Sequence, residues 1–297
     1  MQNSNSSRLA FLDGLRLVAA GAVVVQHLFE RVPGPFARAL VAPGPGVFGV
    51  VLFFMISGYV IPFSVRKGFS LRSFAIRRLT RIYPLYLAAL TIALLLGSIG
   101  IAPHFAHILT AGPGAWLANL MLVQDFVHAR AFFPVSWTLA IEIIWYALFA
   151  LLVKSTGRRA GSIIELAAPA GMMLLTTASL LLDTRIPLGR PGMIYAAVLG
   201  YQAYRHSQNE ISDAAIRLNF ICFLLVTLAS NIVAFGVFHH PRITVAQAVG
   251  PWTLALLTFA AALYLPRLRG PSALGNPVAV APGAMSYSIY MMHPIAI

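Results

Sequence analysis

With 297 residues, 59% of them hydrophobic and 10% charged, and a mean hydropathy of +0.81, the chain is too apolar for an ordinary water-soluble domain. The formal net charge of +13 falls mostly between apolar segments, which argues against a nucleic-acid-binding face and for membrane topology. A single cysteine, Cys222, excludes an internal disulfide framework and any multi-cysteine metal site, and no metal is expected.

A bilayer core of roughly 30 Å needs about 20 apolar residues per helix. Such runs predict spans near 9–29, 46–65, 82–100, 136–153, 162–182, 191–204, 218–238 and 248–265, and a last one opening near 284. The alternating strands of a transmembrane barrel are missing from the sequence. The expected fold is all-α, a polytopic transmembrane helix bundle with about nine spans, forming one domain over 1–297. The opening MQNSNSSR is short and polar, and Asp13 and Arg16 interrupt the apolar run after it, so no removable signal peptide is expected. Residues 116–127, with Asn119, Gln124 and Asp125, read as an interfacial or re-entrant helix.

Positively charged loops stay cytoplasmic. With the N-terminus inside, the inner side carries fourteen basic residues: Arg8, Arg66, Lys67, Arg72, Arg77, Arg78, Arg81, Lys154, Arg158, Arg159, Arg205, Arg217, Arg267 and Arg269. The outer side carries six, Arg31, Arg38, Arg130, Arg185, Arg190 and Arg242, which favours that orientation. His104, His107, His239 and His240 fall in outer loops and read as solvated, because no further ligand stands at metal-binding spacing.

In the first span, FLDGLRLVAAGAVVVQHLFE, Arg16 and His27 stand eleven residues apart. Eleven residues make about three helical turns, so the two lie on one stripe about 16 Å apart along the axis, with Asp13 within about 60° of them. Ionisable groups inside a bilayer are costly unless they face partners or a water-filled cavity, so the stripe should line a bundle interior. The bland alternative is a local Asp13–Arg16 ion pair at one headgroup boundary and His27 at the other. The second span holds Gly46, Gly49 and Gly58, which suit close helix packing, and Ser57 has no local histidine or acid to make it a nucleophile.

At the cytoplasmic mouth of the third span, Arg78 and Arg81 are one turn apart at the depth where Arg16 enters. Three guanidinium groups there could grip a polyanion, most naturally phosphates, although such clusters also serve as simple topological anchors. No Walker or dinucleotide glycine fingerprint is present. Later, FFPVSWTLAIEIIWYALFALL starts a helix after Pro134, with Ser136 as its cap. Glu142 then lies among Trp137, Trp145 and Tyr146 and shares a face with Thr138. A carboxylate there requires a proton, an arginine or a charged histidine as partner, or it is a structural hydrogen-bonding group between helices.

In order and wording, these segments resemble the acyltransferase-3 family of bacterial membrane enzymes, which acylate sugars and other acceptors. Arg16 and His27 match its Arg-x10-His signature, and Arg78 and Arg81 match its Arg-x-x-Arg motif. SWTLAIE resembles its Trp-Ser-Leu-x-x-Glu motif, with Thr138 in place of serine and Glu142 as the acid. LFFMISGYVI and SYSIYMMHP resemble its second and late helices. The family commonly has ten or more helices, so the resemblance implies a chain shortened at its C-terminus.

The resemblance implies an acyl-coenzyme A co-substrate, acetyl in the first instance, with no permanently bound cofactor. Arg16, Arg78 and Arg81 would hold its phosphates, and Asp13 would fix Arg16. His27 would act as general base or form an acyl-histidine. Glu142 would orient His27, stabilise its imidazolium or bind the acceptor. The implied acceptor is a carbohydrate or lipid-linked glycan at the bacterial inner membrane. The competing class is a transporter or flippase using the same groups as a proton relay, which inverted-repeat symmetry would favour. A non-catalytic scaffold is the third reading.

Overall fold

The computed structural model describes residues 3–65, 69–156, 159–240 and 243–297, with side chains from residue 10 onward except that of Thr156. Arg66, Lys67, Arg158 and Arg242, counted above in the loops, and the side chain of Arg8 lie outside the described residues. All regular elements among the described residues are helices, as expected for an all-α bundle. Seven of them are long and apolar enough to cross a membrane: Ala10–Phe29, Pro35–Val65, Leu71–Ser98, Ser136–Ser155, Ala160–Leu181, Asp213–Val237 and Val245–Tyr264. They correspond in order to seven of the expected spans.

The other two expected spans are also helical. Gly189–Ser207 is 19 residues long but carries Arg190, Gln202, Arg205 and His206. Twelve of its residues, Gln202 and Arg205 among them, are buried, so protein rather than lipid covers most of its surface. That explains why its apolarity is lower than that of its neighbours. Ser286–Ala296, at 11 residues, rises only about 16 Å. Residues 116–127 do not form a span: α5 (Pro113–Leu120) has eight residues, followed by turns.

Chain contacts group the residues into two compact units, 1–68 with 155–286 and 69–154 with 287–297. The first unit contains α1 (Asn3–Phe29), α2 (Pro35–Val41), α3 (Pro45–Val60), α7 (Ala160–Leu181), α8 (Gly189–Ser207), α9 (Asp213–Ile232), α10 (Val245–Tyr264), α11 (Pro266–Arg269) and α12 (Pro277–Ala284). Within it α3 is central, packed on α1, α8 and α10. The α3–α8 crossing is close enough for backbone to meet backbone: a Cβ on Gly58 would run into the carbonyl of Ala197, and one on Gly200 into that of Met55. After α9 the chain continues as a π-turn over Val233–Val237. Arg185 completes that turn, donating from Nε to the Ala234 carbonyl at 2.8 Å while its guanidinium stands 4.7 Å from the Phe235 ring centroid.

The second unit contains α4 (Leu71–Ser98), α5, α6 (Ser136–Thr156) and most of α13 (Ser286–Ala296). Ser70 caps α4 by accepting from the Ser73 N–H. Ser136 does not act as the expected cap, because its hydroxyl donates backward to the Phe133 carbonyl at 2.8 Å and accepts from Gln124 at 3.0 Å. The loop between α4 and α6 is internally packed rather than merely solvated. His107, expected in solvent, is half-buried, with its ring 2.9 Å from the His104 carbonyl and 3.3 Å from that of Ala131.

Asn119 ties this loop together. At 0% exposure it donates to the Ala115 and Arg130 carbonyls, both at 2.9 Å, and accepts from the Phe132 N–H at 2.8 Å. Asn119→Ala would strand the Phe132 N–H, at a cost of about 1–3 kcal/mol for each buried group left unpaired. The expected result is a lower thermal unfolding midpoint in detergent and faster proteolysis within 101–135. Unchanged protection of that loop would contradict the tie.

Candidate active site

The first candidate cluster lies wholly on α1. The helix runs unbroken from Asn3 to Phe29, so the stripe joining Arg16 to His27 exists as expected, with a rise of about 16 Å between them. At one end Arg16 donates to the Asp13 carboxylate at 2.5 Å, both side chains being partly buried. The pair is the i,i+3 contact that the spacing predicts, and it fixes the direction of the guanidinium. α12 packs against α1 there, with Gly283 facing the Asp13 backbone.

At the other end His27 Nδ1 lies 2.8 Å from Glu30 Oε1. The Glu30 backbone N–H reaches the Gln26 carbonyl at 2.9 Å, which carries helical bonding one residue past the last residue of α1. Phe29 and Phe36 meet edge to face at 6.1 Å and join this end of α1 to α2. Glu30 was given no role by the motifs. The signal that finds it is the i,i+3 spacing from His27, the same spacing that links Asp13 to Arg16.

The second cluster lies in the other unit. Arg78 is 9% exposed and Arg81 is exposed, so the two side chains differ in hydration although they stand one turn apart on α4. Arg78 is boxed by aromatic rings, its guanidinium carbon 5.2 Å from the centroids of both Phe74 and Tyr146. Its Nε is buried without a hydrogen-bond acceptor among the described residues. Glu142 accepts a hydrogen bond from Tyr146, one turn along α6. Glu142, Arg81 and Arg78 are all within electrostatic reach of that phenol, and Glu142 and Arg81 also act on Tyr287 of α13.

Tyr287 donates to the Ile82 carbonyl at 2.9 Å, and the Tyr290 and Thr138 hydroxyls are 2.8 Å apart. Thr138 and Glu142 therefore share a face but bond to different tyrosines. The late SYSIYMMHP segment thus brings two phenols to the Arg–Glu group, a role invisible in the motif itself.

Residues 9–297 match the family model described as an acyltransferase domain, that of acyltransferase-3. The chain belongs to the acyltransferase-3 family. It is 26% identical over 322 residues to nodulation protein 10 of Rhizobium leguminosarum bv. viciae, a match covering 98% of this chain and 83% of that one. Acyltransferase MdmB of Streptomyces mycarofaciens is 32% identical over 157 residues, covering 48% of this chain and 39% of that relative. A Staphylococcus aureus (strain COL) protein provisionally named an O-acetyltransferase is 30% identical over 158 residues, covering 48% of this chain and 24% of its own length. No solved structure matches the chain. This acyltransferase-3 member is an integral membrane protein, and family and relatives alike make it an acyltransferase.

Proposed function

We propose that the chain transfers an acyl group, acetyl in the simplest case, from acyl-coenzyme A to a hydroxyl of a carbohydrate or related acceptor on a cell-surface or exported glycan. The observation that carries this reading is the unbroken α1, which holds a fixed guanidinium and a carboxylate-paired imidazole on one stripe about 16 Å apart. A pantetheine arm is long enough to cover that rise. The family match and the acyltransferase names of two relatives support the same chemistry.

In this reading Arg16, Arg78 and Arg81 hold the donor's phosphates, and Asp13 orients Arg16. His27 takes the proton from the acceptor hydroxyl as its oxygen attacks the thioester carbonyl. The carbon–oxygen bond forms, the carbon–sulfur bond breaks, and the departing thiolate takes the proton back from the imidazolium. Glu142, which accepts a hydrogen bond from Tyr146, is the carboxylate that balances the Arg78–Arg81 charge. The excess of basic residues on one set of loops supports a cytoplasmic N-terminus in a bacterial inner membrane, with the donor inside. His27 then lies toward the outer side, where the glycan is acylated.

The test is transfer from labelled acetyl-coenzyme A by purified protein in lipid, together with donor affinity. Arg78→Gln removes a charge-assisted contact worth about 1.5–3 kcal/mol, so donor Kd and KM are expected to rise about 10- to 100-fold. A fall in kcat with unchanged donor affinity would remove Arg78 from the phosphate site, and no thioester turnover by the wild type would overturn the reaction itself.

A further inference from the structure

We propose that Glu30 is a positioning residue for His27: it holds the imidazole in the tautomer whose Nε2 faces the acceptor, and its negative charge stabilises the imidazolium formed during transfer. The inference rests on the reading of His27 as general base and extends it to a residue outside the family motifs.

The geometry has three linked parts. A carboxylate can only accept hydrogen bonds, so its 2.8 Å contact with His27 Nδ1 requires the proton on that nitrogen. A neutral imidazole has one N–H, so Nε2 then carries the lone pair. The second part is Gln26, whose Nε2 is 3.5 Å from the other Glu30 oxygen, so that both carboxylate oxygens are engaged from α1. The third is α3. Gln26 Oε1 accepts from the Gly46 N–H at 3.4 Å, and a Cβ on Gly46 would lie 2.9 Å from Gln26 Cγ. A backbone amide of α3 is thereby connected through Gln26 and Glu30 to the imidazole.

The His27 and Glu30 side chains are 34% and 40% exposed, so the pair contributes little to folding. Its effect is on orientation and on the charge that appears when His27 takes a proton. Carboxylate, imidazole and hydroxyl then stand in the relation that serves other acyl-transfer sites, where the acid orients and the histidine moves the proton.

Glu30→Leu removes both acceptor and charge, whereas Glu30→Gln keeps an acceptor oxygen. The expected result is a kcat about 10- to 100-fold lower in Glu30→Leu, with an intermediate value in Glu30→Gln and an unchanged KM for acetyl-coenzyme A. The nitrogen-15 spectrum of labelled His27 should show the proton on Nδ1 in the wild type and a shift toward Nε2 in Glu30→Leu. If Glu30→Leu does not fold, the same readings are taken on Glu30→Gln. A wild-type kcat in these variants while His27→Ala is inactive overturns the role of Glu30 alone. A slow variant with an unchanged tautomer also overturns it, because the residue would then be structural. Full activity in His27→Ala removes the base, and the inference falls with it.

Discussion

His27→Ala is expected to lower kcat for acyl transfer by about 10²- to 10⁴-fold, with little change in the Kd for acetyl-coenzyme A. That span corresponds to about 3–5 kcal/mol of transition-state stabilisation. A base acts on the moving proton and not on the bound donor, so the loss should fall on kcat. The side chain is partly exposed at the end of α1 and makes its contact with Glu30 on the same helix, so its removal leaves no large cavity. The thermal midpoint of the variant should therefore stay near that of the wild type. Labelled acetyl-coenzyme A turnover and donor binding by calorimetry separate the two quantities. Undiminished turnover would sink the general-base role.

The largest effect on folding is expected at the α3–α8 crossing. In Gly58→Ala the new Cβ would meet the Ala197 carbonyl, and in Gly200→Ala it would meet that of Met55. Both obstacles are backbone, held by the hydrogen bonding of their own helices, so they cannot swing aside as a flexible side chain does. Ordinary overpacking costs about 1–3 kcal/mol, and here the cost should exceed that range because helix axes must separate. The expected outcome is a markedly lower thermal midpoint, or loss of the monodisperse detergent-solubilised species on a sizing column. Gly171→Ala is the control: nothing lies within 4 Å of its Cβ position inside α7, and alanine there is favoured by about 0.5–1 kcal/mol. Equal behaviour of Gly58→Ala and Gly171→Ala would disprove the close crossing.

The bundle was legible in the sequence because lipid demands long apolar runs, and seven of them became long helices, five within a few residues of their expected limits and two, Pro35–Val65 and Leu71–Ser98, starting eleven residues earlier than expected. The Asp13–Arg16 pair was legible because contacts three residues apart on a helix depend on that helix alone. Glu30 obeys the same rule but stands just past the apolar run, where it reads as loop. Ser136 failed as a cap because Gln124, twelve residues earlier, competes for its hydroxyl, and no local pattern shows that. The half-buried His107, the tie at Asn119 and the tyrosines of α13 likewise depend on segments far apart in the chain. Gly58 was visible in the sequence as a glycine suited to close packing, but its partner in α8 was not.

The glycine contact also bears on motion. Where two helices meet through layers of side chains, rotamer changes let one slide on the other. Between α3 and α8 that cushioning layer is missing at the crossing, so the two form a single strut. Gly46 and Gln26 connect this strut to the end of α1 that carries His27. Any opening that admits substrate must then leave α3 and α8 moving together, and the flexing has to occur where side chains, not backbones, make the contact.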